Sequence, residues 1–235
     1  MSSEKLKSAI SAVDWNANTS DFFKHKAACD SMEKSNLRLA VWAKQFENAD
    51  KGNPALAFIR EMQVAAHHVA ALNSLALYKP AAAVMRTMME TALYYTYFRT
   101  HPSELATLPR KSKFVLYKED VLDYHKMHTP DFPKLQEQFG LVGNCKEWYK
   151  TISSIVHGQI PGKWVETKSL ADTKHIQSIL SIVVKSFSDG EEIVHQLFLC
   201  TSGRELWEDF ATAAKRKLLS GIHSNIKAAL GLDSA

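Results

Sequence analysis

The sequence predicts an all-α fold, a single helical bundle of about seven helices, and three observations carry that expectation. The 235 residues include only nine glycines and seven prolines, and no glycine falls between Asn53 and Phe139, so the chain has few places to make the turns of a sheet. Apolar residues recur at the spacing of a helix face rather than in strict alternation. With 46% apolar and 23% charged residues, the composition is that of a globular chain with a core, which excludes disordered, collagen-like and disulfide-scaffold classes.

From the N-terminus, Leu6, Ile10 and Val13 make a short amphipathic start. Thr19 or Ser20, followed by Asp21, has the chemistry of an N-cap, and Phe22, Cys29, Met32, Leu37, Val41, Trp42 and Phe46 continue at helical spacing, so one long helix is expected. Asp50-Lys51-Gly52-Asn53-Pro54 breaks it. Asn53 can cap the next helix and Pro54 suits a first helical position, where its missing N–H costs nothing. That second helix is expected to reach Tyr78. Pro80 opens a third, Ala81 to Thr100, which is apolar on most sides, as the middle of a bundle requires.

His101-Pro102 ends the third helix, Ser103 can cap a short turn, and Pro109 to His128 reads as another helix before the broken stretch Thr129-Pro130-Asp131-Phe132-Pro133. Asn144 is expected to cap a helix ending at His157-Gly158, where glycine suits a left-handed terminating residue. Gln159 to Trp164, with Pro161 and Gly162, is then irregular. Leu170 to Ser202 and Arg204 to Leu230 read as two further long helices, with Ser188-Asp189-Gly190 interrupting the first and Gly221 weakening the second. No composition shift marks a boundary, so residues 1–235 are expected to form one domain: N-terminal helices over 1–50, a core over 54–165 and C-terminal helices over 170–230.

Cys29, Cys145 and Cys200 are odd in number and scattered, with no paired spacing, which suggests neither a disulfide framework nor a cysteine zinc site and points to a reducing compartment. MSSEKLKSAI lacks the apolar core of a signal peptide and no segment is long and apolar enough to span a bilayer, so a soluble cytoplasmic protein without membrane partners is expected. The net charge of +4 is spread along the chain rather than gathered as duplex-DNA binders gather it. Arg110/Lys111/Lys113/Lys118 and Lys215/Arg216/Lys217 suit an anionic partner, though such runs are commonly solvated helix faces.

Two constellations stand out chemically. Arg86 and Glu90 lie four apart on the apolar third helix, so they share a face, and charges there need partners. Ser153 and His157 lie four apart on the helix that ends at Gly158, with His157 in the last turn, where the dipole favours an imidazolium. A histidine so placed can serve as acid or base, or can cap carbonyls; if its helix packs on the central one, Arg86, Glu90 and His157 meet. The bland account of the same residues is a structural ion pair.

The run Leu75 to Leu93, containing Arg86 and Glu90, followed by Ser153-Ser154-Ile155-Val156-His157-Gly158, resembles the HEPN-like group of helical proteins over roughly residues 55 to 165. That resemblance implies an all-helical bundle, often a homodimer or bound to a partner protein, in bacterial defence or toxin–antitoxin systems, acting on RNA or a nucleotide; many members are metal-independent endoribonucleases. The active ribonucleases of the group carry an arginine followed after four to six residues by histidine. Here Arg60/His67 and Arg216/His223 fit by count, yet seven arginines and ten histidines yield about one such match by chance, and Lys217 and Gly221 are not the intervening residues expected. An adaptor or antitoxin-like interaction protein is the reading from another class.

Weaker signals are a single Glu192-x-x-His195, which di-iron bundles need twice, Asp123 with His125 and His128, and the aromatic run Tyr94, Tyr95, Tyr97 and Phe98, which suits core better than base stacking. No phosphate loop, dinucleotide fingerprint or nucleophile elbow occurs, so no cofactor and no metal are implied.

Overall fold

The computed structural model describes residues 3–111, 113–164, 167 and 169–232, and no strand occurs among them. Helix α1 (Glu4–Ser11) buries none of its residues. Helix α2 (Trp15–Phe22) is capped by Asp14, whose Oδ1 accepts from the N–H of Ala17 at 2.8 Å. The expected cap at Thr19, Ser20 and Asp21 therefore lies inside a helix, with the Thr19 hydroxyl donating back to the Trp15 carbonyl at 3.0 Å. The chain breaks after Phe22, and α3 (Lys26–Ala49) is a separate element.

Asn53 does not cap the next helix, whose N-cap position Ala55 holds without a side-chain bond; Asn53 closes the turn just before it. Its Oδ1 accepts from the N–H of Ala55 at 3.0 Å, while its Nδ2 donates to the Arg99 carbonyl at 2.9 Å, tying the start of α4 (Leu56–Ser74) to the end of α5 (Tyr78–Phe98). The α4–α5 turn closes through Leu77 N–H to the Leu72 carbonyl at 2.8 Å and Ala76 N–H to the Asn73 carbonyl at 3.0 Å. This left-handed cap holds Ala76 at φ +58 where glycine is usual. It stops α4 at Ser74 rather than at the expected Tyr78.

A short α6 (Pro102–Leu105) follows, then a non-helical stretch, and α7 (Lys118–His128) starts only where the Asp120 carboxylate accepts the Tyr117 N–H at 2.9 Å, nine residues later than the expected start at Pro109. Asp131, at φ +59, leads into α8 (Phe132–Phe139). Gly140, at φ +62, both ends α8 and begins α9 (Leu141–Val156), so Asn144 is not the cap; its Nδ2 donates back to the Phe139 carbonyl at 3.0 Å. The other end of α9 matches expectation, with Gly158 at φ +67 and the N–H of Gln159 on the Ser154 carbonyl at 2.9 Å.

Helix α10 (Gln177–Cys200) runs unbroken through Ser188-Asp189-Gly190. Gly190 is there for contact rather than for a turn: a Cβ on it would lie 2.5 Å from Cζ2 of Trp148, whose Nε1 donates to the Ser186 carbonyl at 2.7 Å. The expected helix from Arg204 to Leu230 is instead α11 (Ser202–Glu205), α12 (Thr212–Leu218) and α13 (Ser224–Leu230), because Trp207 and Phe210 turn into the core and Gly221 takes φ +81. The expected count of about seven helices falls short for these reasons, while the long ones (α3, α4, α5, α9 and α10) form the frame.

Helix α5 occupies the middle, packing on α4, α9, α10 and α7, and α10 also packs on α3 and α9. Burial of Met85, Met88, Met89, Ala92, Tyr95 and Phe98 explains why α5 is apolar nearly all round. Phe46 joins α3 to α5 and α10, its ring 4.7 Å from Tyr95, 4.9 Å from Phe198 and 5.4 Å from Trp42 between centroids. Such pairs add about 0.5–1.5 kcal/mol each beyond area burial. Among the described residues no helix is long and apolar enough to cross a membrane.

Candidate functional site

Arg86 and Glu90 lie on the face of α5 that meets α9, and the two helices run antiparallel, since Lys79 approaches Gly158 and Glu90 approaches Tyr149. Arg86 Nε donates to Glu90 Oε1 at 2.9 Å, and Arg86 Nη1 stands 3.1 Å from His157 Nε2. The structure therefore brings together Arg86, Glu90 and His157 from two separated stretches of sequence. Tyr149, two helical turns before His157 on α9, donates its hydroxyl to the same Glu90 Oε1 at 2.5 Å. The Tyr149 ring also receives the Arg86 guanidinium at 5.0 Å and Lys118 Nζ at 4.2 Å from its centroid.

The electrostatics follow from this arrangement. Burial works against the Arg86 charge, but the hydrogen bond and attraction of Glu90 overcome it and raise the guanidinium's pKa. Burial, then the hydrogen bond to Glu90, push the Tyr149 hydroxyl well above the usual phenol range, so it stays a donor. Arg86 and Glu90 keep 29% and 28% of their side-chain surface exposed, and the His157 residue is exposed. Arg86, Glu90, Tyr149 and Lys118 line a cavity of 260 Å³ whose other walls include Leu93 and Tyr94.

Ser153 does not join this network. Its hydroxyl is buried and has no hydrogen-bond partner. Sequence reasoning missed Tyr149 and left Lys118 unplaced. The available signal was position: Tyr149, Ser153 and His157 fall on one stripe at four-residue spacing.

The arginine–histidine pairs found by count do not form pockets. Arg60 spends its fork on Glu47 of α3, at 2.7 and 2.9 Å, and is mostly exposed, and His67 faces solvent on the same helix. Arg216 lies in α12 whereas His223 precedes α13, with the Gly221 turn between them and both residues exposed.

Asp123 is exposed and paired with Lys126, while His125 is buried with both ring nitrogens bonded, to Thr129 Oγ1 at 2.7 Å and Thr96 Oγ1 at 2.9 Å. The Glu192-x-x-His195 spacing also fails to converge. His195 Nδ1 accepts from Trp42 Nε1 at 3.0 Å in the core, whereas Glu192 pairs with Arg38 at 2.5 Å. Arg38 mainly grips Glu191, whose buried carboxyl it holds at 2.7 and 2.6 Å. Burial pushes Glu191 up to about 7 against the pull of Arg38. Among the described residues no three His, Cys, Asp or Glu side chains gather as a metal site would require.

Tyr95 and Phe98 are core and Tyr94 and Tyr97 are half-buried, their hydroxyls donating to the Leu116 carbonyl and to Glu104, so the aromatic run is packing. No family model, no curated protein and no solved structure matches the chain.

Proposed function

We propose that this protein is an HEPN-like component of a bacterial defence or toxin–antitoxin module, working in the cytoplasm as a homodimer or with a partner protein, and that it binds RNA or a nucleotide at the Arg86–His157 cluster and cleaves RNA without a metal. The observation that carries this reading is that one guanidinium holds both a carboxylate and an exposed imidazole beside a cavity that also contains an ammonium. Phosphodiester chemistry needs such a set: a cation for the phosphorane oxygens and a titratable group for the proton.

In this reading Arg86 turns to a bridging phosphate and frees His157 Nε2. The ribose 2′-oxygen attacks phosphorus, its proton passes to the imidazole, and the 5′-oxygen leaves with a proton from solvent. RNA rather than DNA is the substrate because the 2′-hydroxyl is the nucleophile. Glu90 and Tyr149 position Arg86 and do not touch the reacting atoms. A second reading, a non-enzymatic adaptor, is favoured by the mutual pairing of Arg86, Glu90 and Tyr149, which leaves the cluster largely satisfied as it stands.

Purified full-length chain incubated with total RNA and EDTA tests the proposal, with Arg86→Ala and His157→Ala beside it and His67→Ala and His223→Ala as controls. Cleavage that disappears in the first two variants at unchanged melting temperature, and persists in the controls, is expected. Absence of cleavage by the unaltered chain, or cleavage indifferent to Arg86 and His157, selects the adaptor reading.

A further inference from the structure

The cavity of 260 Å³ beside the Arg86 cluster has more walls than the proposed cleavage uses. One part of its lining comes from α5 and from Tyr149 of α9. The rest is the segment leading into α7, Val115 to Glu119, which is pinned to α5 where the Tyr94 hydroxyl donates to the Leu116 carbonyl at 3.2 Å. Two cations, Arg86 and Lys118, and two carboxylates, Glu90 and Glu119, line it, so the charges balance and select neither an anion nor a cation. Its volume lies below the roughly 300–1,000 Å³ of a pocket for a drug-sized ligand, and it takes one ring system rather than a whole nucleotide.

Two groups in the lining are free. Glu90 Oε1 is taken by Arg86 Nε at 2.9 Å and by the Tyr149 hydroxyl at 2.5 Å. Glu90 Oε2 accepts no hydrogen bond among the described residues, is not sealed off from solvent, and belongs to a side chain that is 28% exposed. A carboxylate oxygen only accepts, so it calls for a donor. Tyr117 is 63% exposed, lines the cavity and stacks on no other ring of the described residues. A free aromatic face beside a free acceptor is the pair of features by which proteins hold an unpaired nucleobase, through its face and through its Watson–Crick edge.

We infer that this cavity is a nucleobase subsite that selects guanine, with Tyr117 as the stacking platform and Glu90 Oε2 as the acceptor for N1–H and N2–H. The donor pattern decides the base. Among the four bases of RNA, guanine alone presents two adjacent donors on its Watson–Crick edge. Adenine and cytosine present one amino group beside a ring nitrogen whose lone pair a carboxylate repels, and uracil presents one N–H between two carbonyls. Lys118 Nζ, 4.2 Å from the Tyr149 ring centroid, lines the same cavity and supplies a donor for guanine O6. The inference rests on the reading that the Arg86 cluster receives RNA or a nucleotide: Arg86 lines the same cavity, so a nucleobase held there leaves its phosphate to the guanidinium. Glu90 then serves through both oxygens, Oε1 positioning Arg86 and Oε2 reading the nucleobase.

Isothermal titration of the full chain with the 5′-monophosphates of guanosine, inosine, adenosine, cytidine and uridine tests it, since all carry the same phosphate. Guanosine monophosphate is expected to bind tightest. The inosine compound, which lacks the N2 amino group, binds about tenfold more weakly, and the other three more weakly still. Tyr117→Ala, at an exposed position, weakens the guanosine compound about fivefold or more. Glu90→Gln, at unchanged melting temperature, abolishes the preference for guanine over adenine. A change that merely loosened Arg86 leaves that ratio intact, because Arg86 meets the phosphate common to all. Equal binding of the monophosphates, binding of none, or a guanine preference that survives Glu90→Gln overturns the inference. The cleavage reading fails separately: guanine-selective binding without metal-free cleavage of RNA upholds the subsite and ends the nuclease, and cleavage indifferent to the nucleobases beside the cut does the reverse.

Discussion

Arg86 Nη1 lies 3.1 Å from His157 Nε2, and because a guanidinium has only donors, that ring nitrogen is held as an acceptor. In this arrangement the His157 proton is assigned to Nδ1. The nitrogen that would act as a base is covered until something more anionic draws Arg86 away. In the proposed reaction, phosphate binding and exposure of the base would be coupled through that one side chain.

That coupling has a spectroscopic consequence. In nitrogen-15 spectra recorded where the ring is neutral, His157 is expected as the Nδ1–H tautomer, with Nε2 resonating as an unprotonated nitrogen. Arg86→Met removes the donor and lets the two tautomers mix. An Nε2–H tautomer in the unaltered chain would mean that Arg86 does not bond to the ring.

Gly190 sets how closely α9 and α10 approach. A methyl there meets the Trp148 ring at 2.5 Å, so Gly190→Ala is expected to destabilise the protein by about 1–3 kcal/mol through overpacking, measured by urea unfolding. Trp148→Phe in the same chain makes room and recovers part of the loss, although Trp148→Phe alone forfeits the bond to the Ser186 carbonyl. A neutral Gly190→Ala would show that the two helices part easily.

Gly190 also shows what the sequence could and could not reveal. A glycine beside Ser188 and Asp189 reads locally as a break, yet here its missing side chain serves a partner 42 residues earlier in the chain. Ala76 errs in the other direction: it takes the left-handed cap position without being glycine, so nothing in the local sequence marks the end of α4. The middle position of α5 was legible because it is apolar on most sides, and so was the glycine stop after His157. Arg86 and Glu90 were legible because charges on an apolar helix need partners. Tyr149 was not, since a tyrosine on an amphipathic helix suits core packing equally well, and only the antiparallel approach of α9 selects it. Glu191 hid behind Glu192: only the helix orientation decides which of two adjacent carboxylates is buried.

Arg38 and Glu191 form a part-buried pair whose side chains are 21% and 3% exposed. Arg38→Met strands a buried carboxyl and is expected to cost about 3–5 kcal/mol near neutral pH and above, while Arg38→Met with Glu191→Leu returns to near the original stability. Because burial pushes Glu191 up to about 7, a protonated carboxyl needs no cation, and the cost of the single change should shrink between pH 8 and pH 5.5. Denaturant titrations at both values read this directly. A cost that stays constant, or grows in acid, would contradict it.

His125 couples folding to pH in the opposite sense. The Thr96 hydroxyl donates to the Leu93 carbonyl at 2.8 Å, so its oxygen accepts from His125 Nε2–H at 2.9 Å, and the Thr129 hydroxyl donates to Nδ1 at 2.7 Å. A neutral ring is fully satisfied there, and a second proton on it would force the Thr129 hydroxyl to turn from donor to acceptor. Burial, with a smaller contribution from His101, lowers its pKa from the usual 6.5 to about 4. The unfolded chain takes up this proton below about pH 6.5 and the folded chain only near pH 4, so its contribution is complete above 6.5 and is lost as pH falls between those values, by about 1.4 kcal/mol per unit and about 3 kcal/mol in all. His125→Gln, which can still bridge the two threonines, is expected to flatten this part of the pH dependence. The comparison is the difference in unfolding free energy between pH 7 and pH 4.5 for the two chains, in which the other titrating groups cancel; equal differences would mean that the buried imidazole does not resist protonation.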